Sequence, residues 1–202
     1  MMKLFYKSGS CSLAPHIVLK ESGLAFQTEA VDLKSKQTAS GADYWQINAK
    51  GYVPALMLDS GEVITEGPAI GQYIADQAPQ KKLAPANGTI ERVRLQSWLT
   101  FIGTEMHKTF APFFNPKATQ EWKDIAMANL ERRLGYVDQQ LTGRSYLIGE
   151  DFSVADAYLF TVLSWAKYAK IDLGRWPAVQ AFQARVAARP AVQSALKDEG
   201  LI

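Results

Sequence analysis

The chain has a single cysteine, Cys11, and its thiol could act as a nucleophile. It lies in the stretch KSGSCSLAPH, between a short apolar run at residues 4–6 and a segment that predicts a helix from about residue 12. Unpaired backbone N–H groups and the positive end of the helix dipole would then favour the thiolate, so we expect the pKa of Cys11 to fall. A cysteine buried as a small apolar side chain is the equally open alternative.

The residue three positions after Cys11 restricts the chemistry of that thiol. A dithiol redox helix would carry a second cysteine there, and this chain has Ala14. A thiolate at Cys11 could attack a disulfide or an electrophile, but the chain has no second thiol to release the product. The release would need a small thiol from solution, such as glutathione.

A second candidate is the sequence GYVPAL, in which Pro54 precedes a predicted strand. Proline is tolerated at the start of a strand because it cannot donate to the hydrogen-bond ladder. If the Val53–Pro54 peptide bond is cis, the backbone N–H and C=O of Val53 would turn outward and could pair with an extended peptide. An ordinary trans proline that opens a strand is the alternative.

A third candidate is the sequence TEGPAI, which opens a predicted helix with Gly67 and Pro68 in its first turn. The N–H groups of a helix start suit a carboxylate ligand. The neighbouring Glu66 could take an ammonium group, and a γ-glutamyl end carries both charges. Ordinary helix-start chemistry would explain the same residues.

The fourth candidate is a stripe of small and polar residues at positions i, i+3, i+4 and i+7 of a predicted helix. Its members are Thr100, Gly103, Thr104 and His107. Such a stripe could line a cleft, and His107 at its end could donate a hydrogen bond to a thiolate sulfur. A lone histidine on a helix is more often a core or surface residue, so both interpretations stay open.

The elements that must position these residues fall into two groups. Residues 1–80 predict the order βαβ, then a variable segment, then ββα. Its elements are predicted at residues 4–6, 12–22, 26–33, 55–58 and 63–65, followed by a helix around residues 70–74. The stretch APQKKLAPANG, about residues 78–88, predicts a linker, and only helical patterns follow it. Within them, Ser153 and Asp156 predict a capping box at the start of an apolar helix.

Charge and composition exclude several classes of protein. The chain has 202 residues, with 22 Lys and Arg against 20 Asp and Glu. A net charge of only +2 argues against a surface for nucleic acid or anionic membranes. No stretch approaches the ~18 apolar residues of a spanning helix, and we see no secretory signal. Because one cysteine cannot form an internal disulfide, these observations together indicate a cytoplasmic protein.

These segments resemble the glutathione S-transferases, most closely the bacterial beta class, over essentially the whole chain. The likeness is carried by KLFYKSGSCSLAPHIVLKESG, NAKGYVPALMLDSGEVITEGPAI, TEMHK and FSVADAYLF. VPAL and the capping box are common to many transferase classes, whereas Cys11 together with His107 is specific to the beta class. The resemblance implies an α/β plus all-α protein: a thioredoxin-like, glutathione-binding domain at 1–80, an all-helical domain at 88–202 that carries the electrophile site, and a homodimer.

The resemblance also implies a role for individual residues. Cys11 and His107 would act at the sulfur of glutathione, and Cys11 could form a mixed disulfide with it. The implied glutathione-binding residues are Lys36, Val53, Pro54, Glu66, Gly67, Thr100, Thr104 and Glu105. The implied wall of the electrophile site is Phe110, Phe113 and Trp165. Many relatives have Ser where Gly67 stands, which leaves only a backbone N–H there, and relatives often have Asn where Thr100 stands.

The implied activity is conjugation of glutathione to hydrophobic electrophiles, as in detoxification, with glutathione as co-substrate and with no metal or other cofactor. Lowering a thiol pKa by ~2 units requires ~2.7 kcal/mol, more than the ~1–2 kcal/mol that a helix end supplies. A further donor such as His107 is therefore expected. Two alternatives remain: glutathione-dependent thiol–disulfide exchange or reductive dehalogenation with Cys11 as nucleophile, and non-catalytic binding of apolar ligands.

Overall fold

The chain forms two compact units, which the computed structural model describes over all 202 residues. The first unit comprises Met1–Ala84 together with Arg189–Ile202, and the second unit comprises Pro85–Ala188. The junction after Ala84 lies within the predicted linker. The sequence assigned residues 189–202 to the helical domain, but they lie in the first unit because the last helix packs against the first one.

The first unit contains a five-stranded mixed sheet with the strand order β3-β2-β1-β4-β5. Its elements are β1 (Met2–Tyr6), α1 (Leu13–Ser22), β2 (Phe26–Asp32), β3 (Gln37–Thr38), α2 (Tyr44–Ile47), β4 (Ala55–Met57), β5 (Val63–Thr65) and α3 (Gly67–Gln77). β1 runs parallel to β2 and antiparallel to β4. The predicted order of βαβ followed by ββα is confirmed.

Local sequence signals explain where the elements near Cys11 begin and end. α1 stops at Gly23, which adopts the left-handed conformation with a φ of 71° that glycine tolerates best. Almost every residue of α1 is buried, because this helix lies between the sheet and other helices of the unit. Residues Leu4 and Phe5 of β1 are also buried, so the turn that joins β1 to α1 rests on core residues at both ends.

The second unit is entirely helical. Its α-helices are α4 (Ile90–Phe101), α5 (Ala111–Phe114), α6 (Gln120–Leu141), α7 (Val154–Leu163), α8 (Ala166–Ala169) and α9 (Pro177–Ala187). α7 is buried along its whole length and opens with the predicted capping box, in which Ser153 N–H donates to Asp156 Oδ2 at 2.8 Å. The predicted fold class, α/β followed by all-α, is confirmed. The last helix of the chain, α10 (Pro190–Asp198), belongs to the first unit.

The helix that carries His107 is not regular. α4 ends at Phe101, residues Ile102–His107 form a π-helical turn, and Lys108–Phe110 form a 3-10 turn. A π turn holds more residues than an α turn. The predicted stripe at α-helical spacing is therefore wrong in its geometry, because Gly103, Thr104 and His107 do not follow Thr100 with an α-helical period.

No helix of either unit combines the length and the apolar character that crossing a membrane requires.

Candidate functional site

Cys11 lies on the turn between β1 and α1, directly before Ser12, where the first turn of the helix begins. It is half-buried, and its Sγ donates a hydrogen bond to the carbonyl oxygen of Val53 at 3.3 Å. A thiol can donate this bond and a thiolate cannot. Loss of the proton would therefore release the Val53 carbonyl, which links the ionisation of Cys11 to the backbone before Pro54.

Serine hydroxyls fix the turn on both sides of Cys11. Ser12 Oγ donates to the carbonyl of Lys7 at 3.2 Å and accepts from the Lys7 N–H at 3.1 Å. Ser10 Oγ lies 2.8 Å from Ser12 Oγ, and the Ser10 N–H donates to the Lys7 carbonyl at 3.0 Å. Because Ser12 is fully buried, this network holds the backbone on which the thiol stands.

The residues after α10 hold the other side of the same turn. Glu199 Oε2 accepts from the Gly9 N–H at 2.9 Å, and the Glu199 carbonyl accepts from Ser8 Oγ at 2.6 Å. Glu199 Oε1 lies 2.9 Å from Nδ1 of His16, and neither side chain is exposed. Sequence reasoning missed Glu199, because nothing local marks a glutamate as the partner of a turn 190 residues away.

The Val53–Pro54 bond is cis, the first of the two alternatives that the sequence left open. The carbonyl of Val53 is not an open group, however, because Cys11 Sγ donates to it, and the residue is buried. The preceding residue is held by two buried donors: the carbonyl of Tyr52 accepts from Tyr44 Oη at 3.0 Å and from Asn48 Nδ2 at 2.7 Å. Buried side chains of the core therefore fix the loop that carries Val53.

Lys36 lies in the left-handed region with a φ of 59°, and its Nζ donates to the carbonyl of Gly51 at 2.6 Å. The same ammonium lies 5.3 Å from the centre of the Trp45 ring, at cation–π distance. A Cβ on Gly51 would come within 2.3 Å of the Trp45 ring, so only glycine fits there. The lysine that the resemblance assigns to a carboxylate is thus held against a ring and a carbonyl oxygen.

Glu66 precedes α3 with a φ of 71°, and its carboxylate is engaged. Lys50 Nζ and Tyr52 Oη both donate to Glu66 Oε1 at 2.6 Å, and Lys50 Nζ also donates to Thr65 Oγ1 at 3.0 Å. The hydrogen bond to Glu66 raises the pKa of Lys50 and that of Tyr52. Because the ion pair is half-exposed, it is weak, and an incoming ammonium could replace Lys50.

Lys50 and Tyr52 were missed by sequence reasoning. They lie in the segment NAKGYVPAL, but no local pattern in it marks them as partners of Glu66. Only the packing of the 48–53 loop brings them to that carboxylate. Gly67 begins α3 next to this cluster. A Cβ on Gly67 would meet Pro54 Cγ at 3.7 Å, an ordinary contact, so this position has room for a side chain.

In the second unit, His107 ends the π-helical turn. Its Nδ1 lies 2.6 Å from Tyr158 Oη, and its ring packs edge-on against that of Trp165 at 4.8 Å between centres. Burial, with a smaller contribution from the charge of Lys108, lowers the pKa of His107 to about 4. The imidazole is therefore neutral at pH 7 and offers one donor and one acceptor.

The other residues of the predicted stripe make different contacts. Glu105 is ion-paired with Arg133 of α6, whose Nε donates to Glu105 Oε2 at 3.0 Å. Thr104 Oγ1 donates to the carbonyl of Thr100 at 3.0 Å, and both threonines are exposed. A role for these three residues toward glutathione remains a prediction, and the carboxylate of Glu105 already has a cationic partner.

The aromatic residues predicted to form the electrophile wall do pack together in the second unit. The Phe110 ring lies 5.8 Å from that of Trp165 and 6.3 Å from that of Phe113. Phe110 is only 1% exposed, so it supports Trp165 from behind. Phe114, which sequence reasoning missed, is 52% exposed and lies 6.0 Å from Trp165. The repeated phenylalanine of PFF was the available signal.

Two family models match the chain. Residues 1–76 match the glutathione S-transferase N-terminal domain, and residues 101–190 match the glutathione S-transferase C-terminal domain. The chain is 48% identical over 200 residues to glutathione S-transferase GstA of Escherichia coli, across 99% of this chain and all of that protein.

Solved structures give the same result. A bacterial beta-class glutathione S-transferase of Sphingomonas chungbukensis superposes with a TM-score of 0.96 and is 48% identical, with 99% of this chain and 100% of that chain covered. A sphingomonad glutathione S-transferase complexed with glutathione has a TM-score of 0.95 at 48% identity and the same coverage.

Proposed function

Because the chain belongs to the glutathione S-transferase family, we propose that it conjugates the thiolate of glutathione to hydrophobic electrophiles. The observation that carries the proposal is the contact between Cys11 Sγ and the Val53 carbonyl beside the cis Pro54. It brings a sulfur-handling residue and a backbone edge for an extended peptide together in the first unit. A peptide thiol is the ligand that would use both.

The charges around this edge support glutathione in particular. At one side, Glu66 and the start of α3 suit the ammonium and carboxylate of a γ-glutamyl end. On binding, the ligand's ammonium would take the place of Lys50 at Glu66 Oε1, and Lys50 would be available for the ligand's carboxylate. Lys36, held by Gly51 and Trp45, would receive the glycyl carboxylate.

The backbone of the cysteinyl unit would pair with Val53. The N–H of that unit would donate a hydrogen bond to the carbonyl oxygen of Val53, in place of the thiol of Cys11. Cys11 then loses its hydrogen-bond acceptor, and its sulfur would lie beside the sulfur of the ligand. In this arrangement the nucleophile is the thiolate of glutathione, and Cys11 assists it through a contact between the two sulfur atoms.

We assign His107 to the stabilisation of that thiolate as a hydrogen-bond donor. Its neutral ring supports this role, since a neutral imidazole donates without adding a buried charge. For the electrophile we propose the aromatic residues Phe113, Phe114 and Trp165, with Phe110 behind them. The roles of Thr100, Thr104 and Glu105 toward glutathione remain predictions of the resemblance.

The second candidate activity is thiol–disulfide exchange. In it, the thiolate of Cys11 attacks a glutathionyl mixed disulfide, forms a new disulfide with one sulfur, and expels the other as a thiolate. When Cys11 has taken the glutathionyl sulfur, the thiolate of a further glutathione attacks that sulfur, which forms oxidised glutathione and releases Cys11 as a thiolate. Cys11 is only half-buried, which favours this candidate over a purely structural cysteine. Reductive dehalogenation and non-catalytic binding of apolar ligands remain further alternatives.

The variants Cys11→Ala and Cys11→Ser test the assignment. We expect both to bind glutathione in calorimetry and to conjugate it to a chlorodinitrobenzene within about tenfold of the wild-type rate, since a single assisting hydrogen bond is worth about 1 kcal/mol. Turnover of a glutathionyl mixed disulfide should vanish in both. Loss of conjugation together with disulfide turnover would make Cys11 the nucleophile. No heat on addition of glutathione to the wild type would overturn the proposed function itself.

We also propose that the protein is a homodimer. The second unit supports this with an exposed apolar face on α4 and α6, where the rings of Trp98, Phe101 and Tyr136 pack together and Ile90 and Val93 are exposed. A second copy of the chain would cover this face. Sedimentation equilibrium should give twice the monomer mass, and Tyr136→Glu should reduce it; a monomeric wild type would contradict the proposal. A cytoplasmic location stays a prediction of the sequence.

A further inference from the structure

His107 and Tyr158 form a largely buried pair of side chains in the second unit. Tyr158 belongs to α7, is 6% exposed, and has its Oη 2.6 Å from His107 Nδ1. The two rings lie nearly perpendicular, with their centres 5.9 Å apart. Trp165 packs against the imidazole as a third ring, so the ring plane of His107 is constrained by aromatic neighbours as well as by the hydrogen bond.

The length of the bond indicates which atom donates. Hydrogen bonds from N–H to oxygen are usually about 2.9–3.0 Å long and rarely shorter than about 2.7 Å, whereas hydroxyl donors reach about 2.5 Å. At 2.6 Å, the contact fits a phenol O–H that donates to the lone pair of Nδ1. A neutral imidazole that accepts at Nδ1 carries its only proton on Nε2. The ring is neutral because burial disfavours its charged form.

We propose that Tyr158 is a positioning residue that holds His107 in the Nε2–H tautomer, so that the ring presents a donor, and not a base, at Nε2. The role in turnover rests on the proposed function, in which His107 stabilises the thiolate of glutathione. His107 then lowers the energy of the thiolate without accepting its proton. The proton leaves to solvent, and the ring keeps the same protonation state before and after the sulfur ionises.

Nitrogen NMR reads the tautomer directly on the whole protein. The chain has only two histidines, His16 and His107, so a ¹⁵N-imidazole spectrum contains four ring nitrogens, and His107→Gln identifies which belong to His107. We expect a pyridine-type shift for Nδ1 and a pyrrole-type shift for Nε2 in the ligand-free wild type at neutral pH. A pyrrole-type Nδ1 in the wild type would overturn the assignment, whatever any variant does.

The variant Tyr158→Phe tests whether the hydroxyl is the cause. Without the donor at Nδ1, we expect the spectrum of His107 to move toward a mixture of both tautomers, while the signals of His16 stay in place. Tyr146→Phe is the matched control, because Tyr146 is also a buried tyrosine of the second unit, and it should leave His107 unchanged. A pure Nε2–H signature in Tyr158→Phe would overturn the role of Tyr158.

Kinetics separate this inference from the proposed function. If both hold, Tyr158→Phe should lower kcat for conjugation by about fivefold to tenfold, the usual weight of one hydrogen bond, with KM for glutathione nearly unchanged. Tyr146→Phe should retain wild-type kcat. If the protein proves not to bind glutathione, the ¹⁵N spectrum alone still decides whether Tyr158 fixes the tautomer of His107. An unchanged kcat with a clear tautomer shift would remove the role in turnover.

Discussion

The two units fix their candidate functional groups in different ways. Around Cys11 and Val53 in the first unit, buried side chains hold backbone groups: Glu199 binds the N–H of Gly9, and Tyr44 and Asn48 bind the carbonyl of Tyr52. In the second unit, side chains hold other side chains, as Tyr158 holds His107 and Arg133 holds Glu105. The comparison suggests that the first unit presents a fixed backbone edge, while the second presents side chains whose protonation and rotamer matter.

The contrast has a physical origin in the elements that carry the groups. The groups of the first unit lie on turns next to sheet strands, and a strand register fixes the backbone of its flanking turns. The groups of the second unit lie on a helical segment that changes from α to π to 3-10 within a dozen residues. Such a segment has no repeating geometry, so its side chains need partners of their own to stay in place.

The largest expected effect concerns the buried carboxylate of the second unit. Asp156 accepts hydrogen bonds from the Leu147 N–H and from the N–H and Oγ of Ser153. Asp156→Ala would leave these donors buried without partners, and we expect a loss of about 4 kcal/mol in the free energy of unfolding. Urea denaturation measures it. Because the change lies in the second unit, the alkylation rate of Cys11 should stay the same.

The matched control for Asp156 is Asp172, an exposed carboxylate that also accepts at a helix start, from the Gly174 N–H at 2.8 Å. Asp172→Ala should cost about 1 kcal/mol, as the loss of an exposed cap does. Equal losses for the two variants would contradict the importance of burial in this comparison.

The corresponding carboxylate of the first unit, Glu199, should affect stability and chemistry together. Glu199→Ala removes the partner of His16 and of the Gly9 N–H, and we expect it to cost about 3 kcal/mol. Because Gly9 is two residues from Cys11, the rate of Cys11 alkylation by iodoacetamide should change as well. Asp198→Asn is the control, because it removes the half-exposed charge beside Lys20 and His16 Nε2 but leaves Glu199 on the Gly9 N–H. A wild-type alkylation rate in Glu199→Ala would refute the link.

The pH dependence of the free energy of unfolding should reveal the contribution of His107 in the second unit. The pKa of His107 is lowered to about 4 from 6.5, so between these values the unfolded chain binds the extra proton. Stability from His107 is therefore present above pH 6.5 and is lost as the pH falls, by about 2 kcal/mol at pH 5. Burial raises the pKa of Asp156 to about 6, which acts in the opposite direction over that range.

The variant His107→Gln isolates this contribution. On going from pH 7 to pH 5, it should lose about 2 kcal/mol less stability than the wild type, measured by urea unfolding at each pH. The opposing contribution of Asp156 is common to both proteins and cancels in the difference. Parallel pH curves for the two proteins would mean that His107 is not neutral in the folded state at pH 5.

The smallest expected effect is a gain in affinity for glutathione at the backbone edge around Val53 in the first unit. Gly67 has room for a side chain, so Gly67→Ser should add a hydroxyl beside the γ-glutamyl end and tighten glutathione by about fivefold, the equivalent of one hydrogen bond. Calorimetry measures the affinity. Gly51→Ser is the contrasting control, because its Cβ would collide with Trp45, and it should weaken binding. Weaker binding by Gly67→Ser would contradict the proposed position of the ligand.

The sequence was most informative where one or two residues decide the backbone. The helix predicted at 12–22 ends before Gly23, and the pair of Ser153 and Asp156 starts α7 as predicted. Of the two forms that the sequence left open at Pro54, the structure has the cis one. The hairpin strand β5 was predicted with the bounds that it has. These signals are local, so they survive without knowledge of the rest of the fold.

Contacts between distant segments could not be predicted from the same signals. No residue type marks the π turn that ends at His107, so a stripe at α-helical spacing was expected instead. Lys50 reaches Glu66 only through the shape of a loop, and Glu199 reaches Gly9 across nearly the entire chain. Partners of this kind depend on the tertiary structure, which no short sequence pattern encodes.

The return of α10 to the first unit has a consequence for how the protein is made. Residues 85–188 are an insertion between the two parts of that unit, so its sheet and first helix emerge from the ribosome well before the segment that locks the Cys11 turn. Until residues 189–202 have been synthesised, the buried His16 lacks its carboxylate partner and the face of α1 that α10 covers stays bare. The turn that carries Cys11 therefore reaches its final structure last, although its residues are among the first to be translated.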